Sequence, residues 1–518
     1  PLSVKNNLEY GDDRTNVGSL TLTNTEYTSW EGKLAISYNE SINSHNINVG
    51  GGLEVKTTRR RTNTGTYKGF QSAEFSSPEF ARSMPYKPNF QEVQTRLFGM
   101  FARLNYSYQD IYLLDASLRI DGSSEFGSDK RYAPFFSGGL GLNIHKYAFM
   151  EKYGFVNHLK IRGSFGQTGK VNFAPYAAVP THEIDIDEWY VSGPASSLMT
   201  TRGNRDLKWE KTNKFDVGFE LGLLKNLLYL EFSWYNEITN GLITDVTLPS
   251  STGFRTYKSN MGKVENKGFE IQFRSDLLST ADWYVAVFAN LAHNTNKIKK
   301  ISDALKAYND AVNEYYNQEI ESLWDKDNPN LNRVMTKYEE GQSLSAKYGL
   351  KSLGIDPANG QELYVYRDGT VSYDWSATEM RNIGDEMPWG TGSFGVNLRW
   401  KNITFSTSFL YEFGGDFYNE TLIDKVENAK IEEYNVDRRA MSQRWKKFGD
   451  VVMYKDIKDN RQTTDPTSRF MQRNNVLSWN SMTIGYELDR EMLKRIGIEN
   501  IRIEVGTNDL WRLSTVKA

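Results

Sequence analysis

The stretch that decides the fold is TRLFGMFARLNYSYQDIYLLDASLRID, residues 95–121. Apolar side chains alternate with polar or small ones along two runs, which the dipeptide Gln109-Asp110 separates. Alternation with a period of two places the two sets of side chains on opposite faces of a β-strand. The stretch therefore predicts an antiparallel hairpin that turns at Gln109-Asp110 and has one apolar and one polar face.

The same alternation recurs along the whole chain. The clearest further segments are 159–165, 215–223, 228–235, 269–274, 283–291, 394–400, 403–409, 482–486 and 501–505. Weaker segments lie at 2–10, 16–24, 31–40, 45–56 and 134–145. Together these segments predict an all-β protein with roughly sixteen strands.

The composition excludes several classes of protein. Only 39% of the 518 residues are hydrophobic, and no apolar run approaches the ~20 residues of a membrane-spanning helix. Aromatic residues make up 13% and occur throughout, which argues against disorder. Lys and Arg (62) nearly balance Asp and Glu (65), so no basic field indicates a nucleic-acid partner. The lack of cysteine excludes disulfide scaffolds and cysteine metal sites.

A transmembrane β-barrel reconciles a mean hydropathy of −0.60 with so many aromatic residues, because only one face of each strand meets lipid. The connections support this interpretation, since short and long ones alternate, with a modest connection at 25–30 as the exception. The largest predicted insertions lie near 57–93, 168–212, 293–391 and 414–475. We therefore predict a transmembrane antiparallel β-barrel with long extracellular loops.

The longest insertions carry patterns of their own. The sequence predicts a helix over Asp303–Trp324, another over Val436–Lys447, and a hairpin from Glu362–Tyr366 to Val371–Tyr373 that turns at Asp368-Gly369. Loops of this length are usually functional. They are expected to form an ordered extracellular cap.

Motifs for covalent chemistry are weak. GSFGQTGK (163–170) departs from a phosphate-binding loop, because Val171 follows the lysine where Ser or Thr is required. The five histidines are scattered, without a metal-ligand pattern. The oxygen-rich DKDNPNLN (325–332) is a candidate calcium loop, although it lacks the glycine of an EF-hand. We predict that the protein is not an enzyme and has no cofactor apart from this candidate calcium ion.

A family resemblance rests on seven segments in a fixed order. They are LRIDGSSEFGSDKRYAPFFSGGLG (118–141), LKIRGSFGQTGKV (159–171), NRDLKWEKTNKFDVGFE (204–220), NMGKVENKGFEIQF (260–273), LGIDPANGQELYVYRDG (353–369), RWKKFGD (444–450) and NDLWRLSTVK (508–517). The ordered set resembles the SusC/RagA family of TonB-dependent outer-membrane transporters of Bacteroidetes. The resemblance covers the chain from about residue 90 onward.

The resemblance implies a barrel of about 22 strands with an N-terminal plug inside it. Residues 1–518 are then expected to be part of such a barrel, without the plug and the N-terminal domain. The implied function is TonB-dependent import of a glycan, oligosaccharide or peptide, together with a SusD-like surface lipoprotein. The implied location is the outer membrane, in contact with the bilayer and lipopolysaccharide. A passive porin-like barrel and a surface scaffold or adhesin remain alternatives.

Two sets of residues are candidates for function. Charged side chains on the predicted inner face are expected to bind the plug or a substrate, or to form salt bridges and hydrate the lumen; they are Lys160, Arg162, Asp216, Glu220, Glu231, Glu270 and Arg274. Aromatic residues of the loops are expected to contact a substrate or a partner, or to pack inside the cap; they are Trp189, Tyr190, Tyr257, Tyr364, Tyr373, Trp375 and Trp389.

Overall fold

A computed structural model gives the structure of the chain. It describes residues 3–5, 18–70, 77–127, 130–171, 173, 175–190, 193–201, 203–225, 227–247, 256–260, 262–301, 306–307, 309–310, 312–313, 337–429, 431, 435–457, 464–488, 493–494 and 497–516. Among these residues, no helix combines the length and the apolar character needed to cross a membrane.

The described residues form 24 strands. In chain order they are β1 (Ser3–Lys5), β2 (Ser19–Ile42), β3 (His45–Lys68), β4 (Asn89–Tyr108), β5 (Tyr112–Ser123), β6 (Tyr132–Asn143), β7 (Val156–Lys170), β8 (Thr181–Tyr190), β9 (Gly193–Thr201), β10 (Glu210–Leu223), β11 (Leu228–Asn240), β12 (Ile243–Thr247), β13 (Thr256–Asn260), β14 (Lys263–Ser279), β15 (Trp283–Lys300), β16 (Ala346–Gly349), β17 (Lys351–Ile355), β18 (Glu362–Val365), β19 (Val371–Ser372), β20 (Arg381–Asp385), β21 (Gly390–Trp400), β22 (Ile403–Tyr418), β23 (Met471–Glu487) and β24 (Arg502–Ser514).

Fifteen of these strands form one antiparallel sheet in the order β1-β2-β3-β4-β5-β6-β7-β10-β11-β14-β15-β21-β22-β23-β24. Each strand pairs with the strands of the same sheet that come before and after it in the chain, so the sheet is a meander. The remaining strands lie in the connections. The connections at one end are short, namely 43–44, 109–111, 144–155, 224–227, 280–282, 401–402 and 488–501. Those at the other end are mostly much longer, namely 69–88, 124–131, 171–209, 241–262, 301–389 and 419–470. The predicted all-β barrel wall with long loops on one side is confirmed.

The hairpin of residues 95–121 forms as predicted. Strands β4 and β5 pair from Leu97↔Ser123 to Tyr108↔Tyr112. Gln109 and Asp110 both have left-handed backbone conformations, with φ of 53° and 52°. Two consecutive left-handed residues make the tight turn whose twist matches that of the flanking strands.

The first long hairpin differs from the prediction. Residues 25–30 do not connect two strands, because β2 runs without interruption through them. Likewise β3 continues to Lys68, so the insertion predicted over 57–93 is reduced to 69–88. The predicted exception at 25–30 is therefore absent, although connection 124–131 is shorter than connection 144–155 at the other end of the sheet.

Threonine pairs explain why β3 continues beyond residue 56, where its apolar alternation ends. The hydroxyls of Thr21 and Thr66 lie 3.3 Å apart, and those of Thr23 and Thr64 lie 3.2 Å apart. Cross-strand threonine pairs stabilise a β-ladder without an apolar face. The other three large insertions also begin later than predicted, at 171, 301 and 419, since their strands extend beyond the apolar segment.

The long connections carry small elements of their own. Four small sheets pair β8 with β9, β12 with β13, β16 with β20, and β17 with β18 and β19. The predicted hairpin is confirmed, with Val365 opposite Val371 and a left-handed Gly369 at its turn.

The helix predictions for these connections were less successful. In the segment 303–324, residues 306–307, 309–310 and 312–313 are helical, and the rest lies outside the described residues. The helix predicted over 436–447 was wrong beyond the short α-helix Arg439–Ser442, because Arg444 turns away to bind four carbonyl groups. The remaining short helices are Pro78–Phe80, Ile144–Lys146, Ala148–Lys152, Ala377–Glu379, Glu420–Leu422, the π-helix Ile423–Glu427 and Ser468–Phe470.

The apolar cores lie largely in the long connections and not in the middle of the sheet. One core packs Tyr418, Ile423, Tyr454 and Phe470, and belongs mainly to connection 419–470. A second packs Phe126, Phe135, Leu207 and Trp209, and a third packs Leu350, Tyr364 and Met380. These cores give the described parts of the extracellular cap a packing of their own.

Candidate functional site

The two faces of the large sheet differ in chemistry. Leu118 and Leu140, on adjacent strands, point outward and are 50% and 67% exposed. At the short-connection end, the rings of Trp283 and Trp400 lie side by side on the same outward face, 5.8 Å apart. Exposed apolar side chains bounded by an aromatic row are typical of the lipid-facing surface of a barrel. The charged candidates lie on the opposite, inner face.

Arg162 is the centre of the inner-face site. It lies on β7, and its guanidinium crosses β10 to reach β11. One nitrogen, Nη1, lies 2.9 Å from Oδ1 of Asp216. The other, Nη2, lies 3.0 Å from Oε1 of Glu231 and 2.6 Å from the hydroxyl of Ser233. One arginine thereby joins three consecutive strands of the wall.

Gly218 makes this crossing possible. It lies on β10 between Arg162 and Ser233 in the register of the sheet. A Cβ atom at this position would lie 2.6 Å from the carbonyl oxygen of Phe232 and 3.4 Å from Cζ of Arg162. A larger residue would therefore lift the guanidinium off the wall. Nothing in the local sequence marks Gly218, because its role depends on the strands on both sides of it.

A second group of contacts extends the site towards the short connections. Nζ of Lys160 lies 3.0 Å from Oε1 of Glu220, whose other oxygen lies 3.2 Å from Nε2 of His158. The hydroxyl of Tyr229 lies 3.4 Å from the same carboxylate. His145 packs against His158, with 4.6 Å between the ring centroids.

The structure brings together five of the seven predicted inner-face residues. One network contains two cations and three carboxylates, and the 4.0 Å contact between Arg162 and Glu220 joins its two groups; the members are Lys160, Arg162, Asp216, Glu220 and Glu231. Glu270 lies on the same face opposite Ser233. Arg274 is separate, since it contacts Asp276 and Tyr284 near the short-connection end. The functional roles assigned to these residues stay predictions.

A second arginine on the inner face also joins three strands, which are β3, β4 and β5. Arg119 on β5 lies 2.6 Å from Asp121 and reaches across Gly99 of β4 to Glu54 of β3, at 3.3 Å. A Cβ atom at Gly99 would lie 2.5 Å from Nη2 of Arg119. Alternation along β5 puts Arg119 and Asp121 on the polar face, but it cannot pair Arg119 with Glu54, which is 65 positions away in the chain.

Small side chains line the wall between the two arginine sites. A recess of about 610 Å³ opens there, and its lining includes Ser117, Ser137, Gly139, Ser164 and Gly166. Small residues allow another backbone to approach a sheet closely. The inner wall therefore has a strip of small side chains, with the Arg119 site on one side of it and the Arg162 site on the other.

We expect Gly218→Val to disconnect Arg162 from β11. The new side chain would occupy the path of the guanidinium and leave Glu231 without its cation, so the protein should lose about 1–3 kcal/mol of stability. Thermal unfolding of the full-length protein in detergent measures this loss. Gly138→Val is the control, because a Cβ at Gly138 meets nothing closer than 3.8 Å. Equal unfolding temperatures for the two variants would contradict the role of Gly218.

The extracellular cap is held together by a buried ion triad. Nη2 of Arg469 lies 2.7 Å from Glu362 and 2.7 Å from Glu427, and all three side chains are almost fully buried. Burial alone would raise the pKa of Glu362, but the Arg469 guanidinium holds that pKa below its usual range. The hydroxyl of Thr467 lies 2.7 Å from the same carboxylate. Glu362 belongs to connection 301–389, whereas Glu427 and Arg469 belong to connection 419–470. The triad therefore joins the two longest connections.

The half-buried Asp465 makes the stability of the cap depend on pH. Burial raises the pKa of its carboxyl to about 7, with Lys455 opposing the rise and Glu362 adding to it. In an unfolded chain this pKa is about 3.9. Between about pH 4 and pH 7 the folded cap therefore holds a proton that the unfolded chain has released, so its stability falls as pH rises.

Asp465→Asn is expected to remove the loss of cap stability that accompanies a rise in pH, and to slow opening of the cap at pH 8. Hydrogen exchange of the amides in 464–470, corrected for the intrinsic effect of pH, measures the change. Asp374→Asn is the control, since this carboxylate is in the same cap but exposed. An unchanged pH dependence in Asp465→Asn would exclude Asp465 as its source.

The aromatic loop candidates have different environments. Tyr364 is buried in the third core, so its ring is not accessible to a ligand. Trp375 is half-buried and donates to the carbonyl of Pro466 at 3.0 Å. Trp389 packs on His293 and Phe413 at the long-connection end of the sheet, with ring centroids 4.7 and 5.3 Å away. Tyr373 remains exposed, with its hydroxyl bonded to Asp356.

Some candidates cannot be placed in the site. The strands that carry Trp189, Tyr190 and Tyr257 are described, but their side chains lie outside the described residues. The calcium candidate 325–332 also lies outside them. In the part of the chain that is described, no group of three or more acidic or histidine side chains could hold a metal ion.

Comparison with known proteins identifies the family to which the barrel wall belongs. Residues 2–334 match the family "TonB dependent receptor-like, beta-barrel". The TonB-dependent receptor P3 of Formosa agariphila is 25% identical over 92% of this chain and 47% of its own length. The TonB-dependent receptor SusC of Bacteroides thetaiotaomicron is 27% identical over 64% of this chain and 32% of its own. The chain spans about half the length, or less, of these relatives.

A solved structure has the same fold. The RagAB peptide transporter superimposes with a TM-score of 0.80 at 22% identity, covering 97% of this chain and 53% of that one. The predicted resemblance to SusC and RagA is confirmed, as is the predicted outer-membrane location. The chain belongs to the TonB-dependent receptor-like β-barrel family of the outer membrane.

Proposed function

We propose that this chain forms the barrel wall of a TonB-dependent importer that takes up a glycan or a peptide with a SusD-like surface lipoprotein. The observation that carries the proposal is the inner wall, where two fixed arginine sites flank a strip of small side chains. Such a wall suits a lumen that holds another folded segment. Family membership supports the same conclusion.

The charges of the inner wall support active import over free diffusion. Arg162 and Arg119 already have carboxylate partners, so neither carries a free positive charge into an open channel. A wall of satisfied ion pairs presents a fixed surface of hydrogen-bonding groups, against which a filling segment can rest and move. The proposal assigns no covalent chemistry to the chain.

The extracellular cap supports the part of the proposal that concerns the nutrient and the surface lipoprotein. Its buried cores and the Arg469 triad join the described parts of connections 301–389 and 419–470 into one packed structure. An ordered surface can hold both a nutrient and a lid protein in a defined geometry. We place the lipoprotein and the nutrient on this side, and TonB on the side of the short connections.

Uptake by living cells tests the proposal. The full-length protein is expressed in its host, and uptake of a labelled oligosaccharide mixture and a labelled peptide mixture is measured with and without the tonB gene. We expect saturable uptake of one class that requires TonB. Uptake that continues without TonB and rises linearly with concentration would instead indicate a passive porin-like barrel. No uptake of either class, with normal surface display, would favour a scaffold or adhesin.

A further inference from the structure

We infer that residues 445–451 (WKKFGDV), here called the knob, are a docking point for the surface lipoprotein. The inference rests on the proposed function. Phe448 and Val451 are 80% and 86% exposed, which makes them the most exposed large apolar side chains among the described residues. The next most exposed, Ile36 and Val505, lie on lipid-facing strands.

The backbone of the knob is held firmly despite this exposure. Two backbone N–H groups, those of Lys446 and Lys447, donate to the carboxylate of Asp450 at 3.1 Å. The N–H of Asp450 donates back to the carbonyl of Lys447, and Gly449 supplies the left-handed conformation that closes the turn. The tip therefore keeps one shape although no other part of the described chain covers its apolar side chains.

The base of the knob is anchored in two loops. The indole of Trp445 and the N–H of Gly449 both donate to the carbonyl of Pro357, at 3.0 and 2.8 Å. The ring of Trp445 lies over Gly360, where a Cβ atom would come within 2.6 Å of it. Below the ring, the buried guanidinium of Arg444 binds four backbone carbonyls.

A rigid turn that presents uncovered apolar side chains suits a protein partner. A convex tip cannot enclose a small nutrient, which needs a concave site. Binding by a rigid element avoids the entropy loss of ordering it, and apolar anchors that enter a pocket usually dominate such interfaces. Exposed apolar surface held in place in this way is typical of interaction sites.

The charges define the chemistry of the partner. Lys446 and Lys447 are exposed next to Phe448, and their two positive charges outnumber the single negative charge of the knob, on the half-buried Asp450. The knob therefore presents an apolar tip with a basic border. The complementary surface is an apolar pocket bordered by carboxylates. We expect the lipoprotein to carry such a pocket on the face that meets the barrel.

Co-purification from the outer membrane of the host tests the inference. The full-length transporter carries an affinity tag, and the amount of bound lipoprotein is measured for the wild type and for the double variant Phe448→Asp, Val451→Asp. Because both side chains are exposed, these changes should leave the cap folded, which its resistance to protease verifies. We expect affinity for the lipoprotein to fall about 30-fold or more, as for other interface anchors.

Two further variants sharpen the test. Tyr86→Asp is the control, because Tyr86 is 66% exposed in a different extracellular connection and should leave binding unchanged. Lys446→Glu with Lys447→Glu should weaken binding and make it less sensitive to salt.

Three outcomes would overturn the inference. Undiminished binding by the Phe448, Val451 variant would exclude the knob while leaving the proposed function intact. Undiminished lipoprotein with loss of co-purified lipopolysaccharide would assign the knob to the membrane surface instead. A wild-type transporter without any lipoprotein would overturn the proposed function together with the inference.

Discussion

Replacing Arg469 by methionine is expected to destabilise the extracellular cap by about 3–5 kcal/mol, the largest effect that we predict. Methionine retains much of the length of the side chain but leaves Glu362 and Glu427 buried without a cation. Two uncompensated buried carboxylates would then face each other at the junction of the two longest connections. Faster hydrogen exchange across 419–429 and 362–365 in the full-length protein would measure the loss.

The pH dependence of this variant separates a charge effect from simple loss of packing. Without Arg469, protonation is the remaining way to neutralise the buried carboxylates, so the destabilisation should be smaller at pH 5 than at pH 8. Equal destabilisation at both pH values would show that packing, and not the ion triad, is responsible.

Arg473→Met is the matched control for the same experiment. Arg473 also has a carboxylate partner, with Nη1 lying 3.0 Å from Asp416, but its side chain is 59% exposed. Exposed pairs contribute about 0–1 kcal/mol. Only a small change in exchange is therefore expected, and a loss as large as that of Arg469→Met would contradict the distinction between buried and exposed pairs.

Leu118→Arg is expected to have the second largest effect, about 2–4 kcal/mol on insertion and folding in a bilayer. Leu118 lies near the middle of β5 and points outward, so the charged group would enter hydrocarbon. Folding of the full-length protein into lipid vesicles, followed by the heat-dependent shift in electrophoretic mobility, measures the change.

Ser117→Arg is the control on the same strand. Ser117 is adjacent to Leu118 but faces the inner wall, where its hydroxyl lies 2.7 Å from that of Ser137. The same arginine is there placed on the polar face, so folding should change much less. A larger loss for Ser117→Arg than for Leu118→Arg would reverse our assignment of the two faces.

The sequence predicted the strands well where lipid imposes a pattern. In residues 95–121 and 394–409, alternation with a period of two gave both the strands and their faces, and the turns lie where expected. The prediction failed where this pattern ends. Beyond residue 56, β3 continues on threonines that pair with those of β2, and apolar alternation cannot detect such pairs.

The site was predicted only in part. Alternation placed Arg162, Asp216 and Glu231 on the inner face, but it could not tell which charges would meet. It also missed Gly218 and Gly99, since a glycine in a strand acquires this role only when an arginine of the next strand crosses it. The cap triad was missed as well, because Arg469 is 107 positions from Glu362.

The sequence by itself therefore determined the all-β class, the polarity of each strand face, and the side that carries the long connections. These features depend on residues two positions apart or on single turns, so they can be read locally. The tertiary structure alone decided the partners of Arg162 and Arg469, the burial of Tyr364 and the exposure of Phe448. Those properties depend on the register between strands and on the packing of loops that are distant in the chain.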